Sequence, residues 1–192
     1  MDSFIRIFDE VITEEYCRHL IDKFKAHKDL WVGRNTLTYN FNEINLIEQR
    51  ETFSQEFEKL GNLFTQATDH YAQTCKLNEF QWPMKYGLEE IRMKHYVADE
   101  GQFKPHVDAG DYLACTRFLV MFLYLNDGEG GETEFLPPHT GTVERKAGRL
   151  LCFPPHWTYP HAGKMPIGTD KYIIGSYMRY VSPQEEIDHG IS

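Results

Sequence analysis

Apolar residues in the first third of the chain recur at helical spacing. Tyr16, Leu20, Ile21 and Phe24 repeat with a period near 3.6 up to about His27. Thr13 stands ahead of them as an N-cap, with Glu14 and Glu15 in the first turn. A second periodic run, Phe53, Phe57, Leu60, Phe64, Ala67 and Tyr71, predicts a helix from about Arg50 to Cys75. Its aromatics read as a face packed on a sheet, not as a cofactor stripe. Phe4–Phe8 reads as a short strand. The polar and aromatic stretch Trp31–Asn42 reads as loop or short strand.

After Trp82 and Pro83 the pattern changes. Short runs rich in β-formers alternate with Gly and Pro turns. They are Glu90–Tyr96, Gln102–Val107, Phe118–Leu125, Glu132–Phe135, Thr142–Arg145, Leu150–Phe153 and Tyr172–Tyr180. The run from Phe118 to Leu125 is continuously apolar and is stopped by Asn126-Asp127-Gly128, which predicts a central strand covered on both faces. The fold class expected is mainly β with supporting N-terminal helices, a sandwich or barrel. A single domain is expected over residues 1–192, with about 1–82 as helical support and about 85–182 as the β core.

Composition removes several classes. The apolar share is 41%, which excludes a disordered chain. Asp and Glu number 29 against 20 Lys and Arg, a formal charge of −9. That argues against a nucleic-acid or anionic-membrane partner. Met1 to Arg6 lacks the basic and apolar regions of a signal peptide, and no run reaches the roughly 18 apolar residues of a membrane span. A cytoplasmic location is expected. Cys17, Cys75, Cys115 and Cys152 are scattered without a CxxC pair and read as free thiols, not zinc ligands.

Candidate chemistry begins at Lys104-Pro105-His106-Val107-Asp108. Residues two apart in a strand share a face, so His106 and Asp108 can offer a nitrogen and a carboxylate oxygen to one point. A third ligand would complete a 2-His-1-carboxylate face, the donor set of non-haem Fe(II) oxygenases. His139, His156 and His161 all lie downstream as candidates. Lys171 opens an apolar strand and either snorkels to solvent or, if buried, requires an anion.

The ordered pieces from Tyr96 onward resemble the iron(II)/2-oxoglutarate-dependent dioxygenases, in their prolyl 4-hydroxylase-like branch. The matching residues are Tyr96, Gly101-Gln102-Phe103 and Pro105-His106-Val107-Asp108, then Arg117 opening Phe118–Leu125 and Asn126. Gly130-Gly131-Glu132-Thr133 with Phe135 follows, then Gly148 with Leu150-Leu151-Cys152-Phe153, and last His161, Pro166, Gly168 and Lys171. The resemblance covers about Ile91 to Tyr180. It implies a double-stranded β-helix core, the cupin-like jelly roll. It implies Fe(II) on His106, Asp108 and His161, with His161 preferred over His156 by its ten-residue spacing to Lys171. It implies 2-oxoglutarate and dioxygen as cosubstrates, the far carboxylate of 2-oxoglutarate on Lys171 and Tyr96, and ascorbate as a supporting reductant. Halogenating relatives replace the carboxylate ligand by a small residue, so Asp108 implies hydroxylation.

The implied function is hydroxylation of an unactivated C–H bond coupled to decarboxylation of 2-oxoglutarate to succinate. The substrate pointed to is a prolyl residue in a peptide or protein. A free amino acid or small metabolite is the alternative within the class. A non-catalytic metal-binding jelly roll and a zinc hydrolase are alternatives outside it, and the complete triad with Lys171 weighs against both. Arg117 is read either as a residue of the substrate channel or as an ion pair at the start of its strand. Thr133 is read as a possible wall of the cosubstrate pocket. Tyr177 stands six residues after the lysine, where many relatives carry Trp. His156 and His139 are read as loop residues, and His95 as facing away from Tyr96. Gly130-Gly131 reads as a turn without phosphate-binding character. Recognition of substrate is assigned to loops 31–42 and 97–102.

Overall fold

The two helices form where the spacing places them. In a computed structural model describing residues 4–182, 184 and 185, β1 (Arg6–Phe8) precedes α1 (Glu14–Ala26). Met1 to Ser3, part of the segment compared with a signal peptide, lie outside the described residues. The Thr13 hydroxyl accepts from the Tyr16 amide at 3.2 Å and caps α1. β2 (Val32–Asn35), β3 (Tyr39–Asn45) and α2 (Arg50–Thr74) follow. The buried face of α2 carries Phe53, Leu60, Phe64, Ala67 and Tyr71, the residues of the periodic run. One buried acid on that face escaped the pattern. Glu56 accepts from Lys23 at 2.7 Å and contacts His19 at 3.0 Å, so it ties α2 to α1.

The strands continue as β4 (Tyr86–Leu88), β5 (Arg92–Tyr96), β6 (Gln102–His106), β7 (Arg117–Tyr124) and β8 (Thr133–Phe135). β9 (Gly141–Val143), β10 (Leu150–Phe153), β11 (His161–Gly163) and β12 (Lys171–Tyr180) complete the set. Among the described residues every strand pair is antiparallel, in one curled sheet ordered β1-β10-β7-β12-β5-β3-β6-β11-β8-β9. Within it, β2 also pairs with β3, and β4 with β12. This is the mainly β, jelly-roll class expected. The apolar strand β7 is central, between β10 and β12.

Two short elements sharpen or extend the expected set. Trp31–Asn42 supplies β2 and the start of β3, and β3 enters the sheet between β5 and β6. Its residues mix polar and apolar side chains: Tyr39 and Phe41 pack inside the curl, Ile44 packs toward the helices, and Asn40 and Asn42 break up the apolar positions. The three-residue β11 was not read at all; it is too short for an alternation to register.

Alternation sorts the core into two layers. Leu119, Met121 and Leu123 of β7, Leu150 and Cys152 of β10, and Tyr172, Ile174 and Met178 of β12 pack against the helices. Val120, Phe122 and Tyr124, Leu151 and Phe153, and Ile173 and Tyr177 face the inside of the curl. Period two therefore sends Tyr96 and Lys94 inward from β5, while His95 turns toward the helices, stacked on Tyr172 with centroids 4.7 Å apart. No helix among the described residues is long and apolar enough to cross a membrane.

Candidate metal centre

β6 and β11 meet at the site, and in their pairing His161 lies directly opposite His106. Asp108 follows β6 by two residues. The ligand atoms of His106, Asp108 and His161 all lie within 4.8 Å of one another. His161 Nε2 is 3.2 Å from Asp108 Oδ2, and His106 Nε2 is 3.8 Å from Asp108 Oδ1. His156, the rival third histidine, lies in a turn and offers no atom to this group. His139 stacks on Tyr159 with centroids 4.6 Å apart.

Both imidazoles are held in one tautomer. His106 Nδ1 is 2.7 Å from the Lys104 carbonyl, and His161 Nδ1 is 3.1 Å from the Tyr159 carbonyl. A carbonyl only accepts, so each Nδ1 carries the proton and each Nε2 presents a lone pair. Burial lowers the pKa of His161, which keeps the ring neutral as ligation requires. Burial pushes the Asp108 carboxyl up, but His161, His106 and the Tyr177 hydroxyl outweigh it and hold it well below the usual range.

The decisive observation is what lacks a partner. His106 Nε2, His161 Nε2 and Asp108 Oδ2 are buried without a hydrogen bond. Three converging buried polar atoms left unsatisfied are costly unless something binds them. Two neutral nitrogens and one carboxylate oxygen suit a divalent first-row ion such as Fe(II). The residues therefore fit an iron.

Behind the triad, a cavity is lined by Tyr96, Thr133, Lys171 and Lys94 on its polar side and by Phe103, Phe122 and Ile173 on its apolar side. Lys171 does not snorkel. It is 2% exposed, and it sits across the ladder from Tyr96 with Nζ 5.0 Å from that ring. Desolvation pushes the Lys171 ammonium down to about 7, and the nearby Arg145 cation adds to the effect. Arg145 is itself buried, donating to the carbonyls of Glu129, Thr169 and Asp170 and so bracing the two loops beside Lys171. Gly131 lies between them at φ +70°, where an added Cβ would stand 3.1 Å from Lys171 Cδ and 3.3 Å from Arg145 Cδ. The Thr133 hydroxyl shares a hydrogen bond of 2.6 Å with Tyr124 at the cavity wall.

Tyr177 does more than line a wall. Its hydroxyl donates to Asp108 Oδ1 at 2.8 Å, fixing the carboxylate that faces the histidines. Arg117 takes the ion-pair role: Nε lies 3.0 Å from both Glu89 oxygens, NH1 donates to the Asp108 carbonyl, and the guanidinium sits 4.0 Å over the Tyr177 ring. Sequence reasoning placed neither contact, because Tyr177 reaches Asp108 across 69 positions and Arg117 reaches Glu89 across 28. Lys94 was also missed, although its place two residues before Tyr96 on one strand was a usable signal. Replacing Tyr177 by Phe is expected to cut Fe(II) affinity by roughly tenfold, the lower end for loss of a group that orients a metal ligand. Titration of the protein with Fe(II) checks this, and an unchanged midpoint would refute it.

Comparison with known proteins agrees with this geometry. Residues 91–179 match the model of the 2OG-Fe(II) oxygenase superfamily. No curated protein matches the chain significantly. Among solved structures, a viral collagen prolyl hydroxylase of Paramecium bursaria Chlorella virus-1, in complex with 2OG, aligns over 93% of this chain and 97% of its own. It shares 18% identity at a TM-score of 0.67. A Pseudomonas putida prolyl-4-hydroxylase aligns over 93% of each chain, at 17% identity and a TM-score of 0.68. A prolyl hydroxylase of Trichoplax adhaerens, in complex with a hypoxia inducible factor oxygen degradation domain peptide fragment, aligns over 92% of this chain and 84% of its own. Its identity is 12% and its TM-score 0.72. At such identities these likenesses describe a shared fold.

Proposed function

We propose, for a chain whose residues 91–179 match the model of the 2OG-Fe(II) oxygenase superfamily, a dioxygenase that hydroxylates an unactivated C–H bond and converts 2-oxoglutarate to succinate and carbon dioxide. A prolyl residue in a peptide or protein is the substrate favoured. The observation that carries the reading is the convergence of three unsatisfied ligand atoms beside a cavity that buried Lys171 lines together with His106 and His161. The fold it shares with enzymes described as prolyl hydroxylases supports the substrate class.

His106, Asp108 and His161 would hold Fe(II), which with bound 2-oxoglutarate and dioxygen supplies the hydrogen-abstracting and hydroxylating power. The chain's own groups position and protect. Tyr177 and the two histidines keep Asp108 ionised. The Lys104 and Tyr159 carbonyls orient the rings. Lys171 Nζ would receive the far carboxylate of 2-oxoglutarate, with the Tyr96 hydroxyl beside it. Burial raises the pKa of Tyr96, so that hydroxyl keeps its proton to donate. Phe103, Phe122 and Ile173 exclude water from this end of the cavity.

Anaerobic addition of Fe(II) and 2-oxoglutarate is expected to produce the visible charge-transfer band of a keto acid chelated to iron. A colourless mixture would sink the cosubstrate assignment. Incubation with a proline-rich peptide library, ascorbate and air should then give products heavier by one oxygen, read by mass spectrometry. If library peptides stay unmodified while succinate still accumulates, the oxidant stands and the prolyl substrate falls.

A further inference from the structure

Lys94 is a second buried lysine in the site, and nothing assigned so far uses it. It is 9% exposed on β5, two residues before Tyr96, and faces the same way. It lines the cavity behind the triad and also a second cavity of about 260 Å3 whose wall includes Arg34, Glu43, Arg92, Arg117 and Tyr177. Lys94 thus stands where the two spaces adjoin. Two residues of the second cavity's wall hold Asp108: Tyr177 bonds its carboxylate and Arg117 its carbonyl.

Four cations border that cavity, and three are already neutralised. Arg34 pairs with Glu43 at 2.8 Å, Arg117 with Glu89, and Arg92 with Glu90. Lys94 alone of the four has no hydrogen bond or ion pair among the described residues; its Nζ lies 4.9 Å over the Phe41 ring. The acids whose charges act on it, Asp108 and Glu43, are committed to the histidines with Tyr177 and to Arg34. A buried, unpaired ammonium is unfavourable until an anion meets it. Lys171 already serves the cosubstrate carboxylate in the reading above, so a second anion is called for.

We infer that Lys94 is a specificity-determining residue that binds a carboxylate of the substrate, delivered through the cavity bordered by Arg34, Arg92 and Arg117. This rests on the oxygenase reading and narrows its substrate class to molecules carrying a carboxylate near the carbon to be hydroxylated. The carboxylate can belong to a free acid or to an acidic residue of a peptide.

The test uses the protein loaded with Fe(II) and 2-oxoglutarate, without oxygen. Probes are the N-acetyl derivatives of the common amino acids, each as acid and as amide, and N-acetyl dipeptide amides pairing proline with aspartate or with asparagine. Binding is read by calorimetry. At least one acid should bind about tenfold or more tightly than its neutral partner, a difference of about 1.4 kcal/mol. Preference within the amino-acid set points to a free acid, and preference for the aspartyl dipeptide points to a peptide. Lys94→Met should erase the preference, and Lys94→Arg should retain most of it. Equal binding of acids and neutral partners by the wild type, or no binding of any acid, overturns the inference without needing a variant. Preference that survives in Lys94→Met overturns it too, as does a large loss of 2-oxoglutarate affinity in that variant, which would make Lys94 a cosubstrate residue. Absence of the iron–keto-acid band before any probe is added would instead overturn the oxygenase reading.

Discussion

His161→Ala should abolish the visible band formed with Fe(II) and 2-oxoglutarate and reduce turnover by well over about 100-fold, because even groups that merely orient metal ligands cost about 10–100-fold when removed. His156→Ala should keep the band. The contrast follows from placement. His161 is 2% exposed, lies opposite His106 across the β6–β11 ladder, and presents an unsatisfied Nε2 toward Asp108. His156 lies in the preceding turn, where its carbonyl accepts from the Tyr159 amide. Anaerobic absorbance on both variants checks this, alongside a circular dichroism spectrum to establish that each is folded. Loss of the band in His156→Ala with retention in His161→Ala would reassign the third ligand.

Lys171→Met should weaken 2-oxoglutarate by about 2 kcal/mol or more, since it leaves a desolvated carboxylate without its partner. The wild type should show a pH signature as well. Burial sets the free Lys171 ammonium near 7, and a bound carboxylate favours the charged form, so its pKa rises on binding. The sign follows from linkage. Below about pH 7 the lysine is charged before and after binding, and affinity is at its plateau. Above that, binding must take up a proton, so affinity falls with rising pH, approaching tenfold per unit until the bound pKa is reached. Calorimetric titrations of the iron-loaded protein across this range give the curve. Affinity that stays level or rises with pH in the wild type would show that Lys171 does not meet the cosubstrate, and Lys171→Met should have no such slope.

Much of this site was legible before any coordinates. The two-residue spacing of His106 and Asp108 gave a shared face, and the helical spacing of Leu60, Phe64 and Tyr71 marked the side of α2 that packs on the sheet. What stayed hidden depends on the closing of the curl. Tyr177 and Asp108 are 69 positions apart, and no local pattern states that a hydroxyl from β12 will reach a carboxylate after β6. Likewise Arg117 could serve a channel or an ion pair until Glu89, 28 positions away, was found beside it. Taken alone, Lys171 read as a lysine whose stem snorkels to the surface, and the buried alternative needed more than its own position. It is settled by the aromatic rings of Tyr96 and Tyr124, which come from neighbouring strands.

The two-sided character of β12 also limits how this protein can vary. Lys171, Ile173 and Tyr177 face the site, while Tyr172, Ile174 and Met178 face the helices. A single residue inserted between Lys171 and Tyr177 would exchange the two faces beyond it, withdrawing the hydroxyl from Asp108 and pushing core side chains into the cavity. Two inserted residues would restore the faces but displace Tyr177 by about 7 Å along the strand. Length changes are therefore barred from this stretch. Diversification toward new substrates is left to point exchanges at positions such as Lys94 and to lengthening of the loops that leave the sheet.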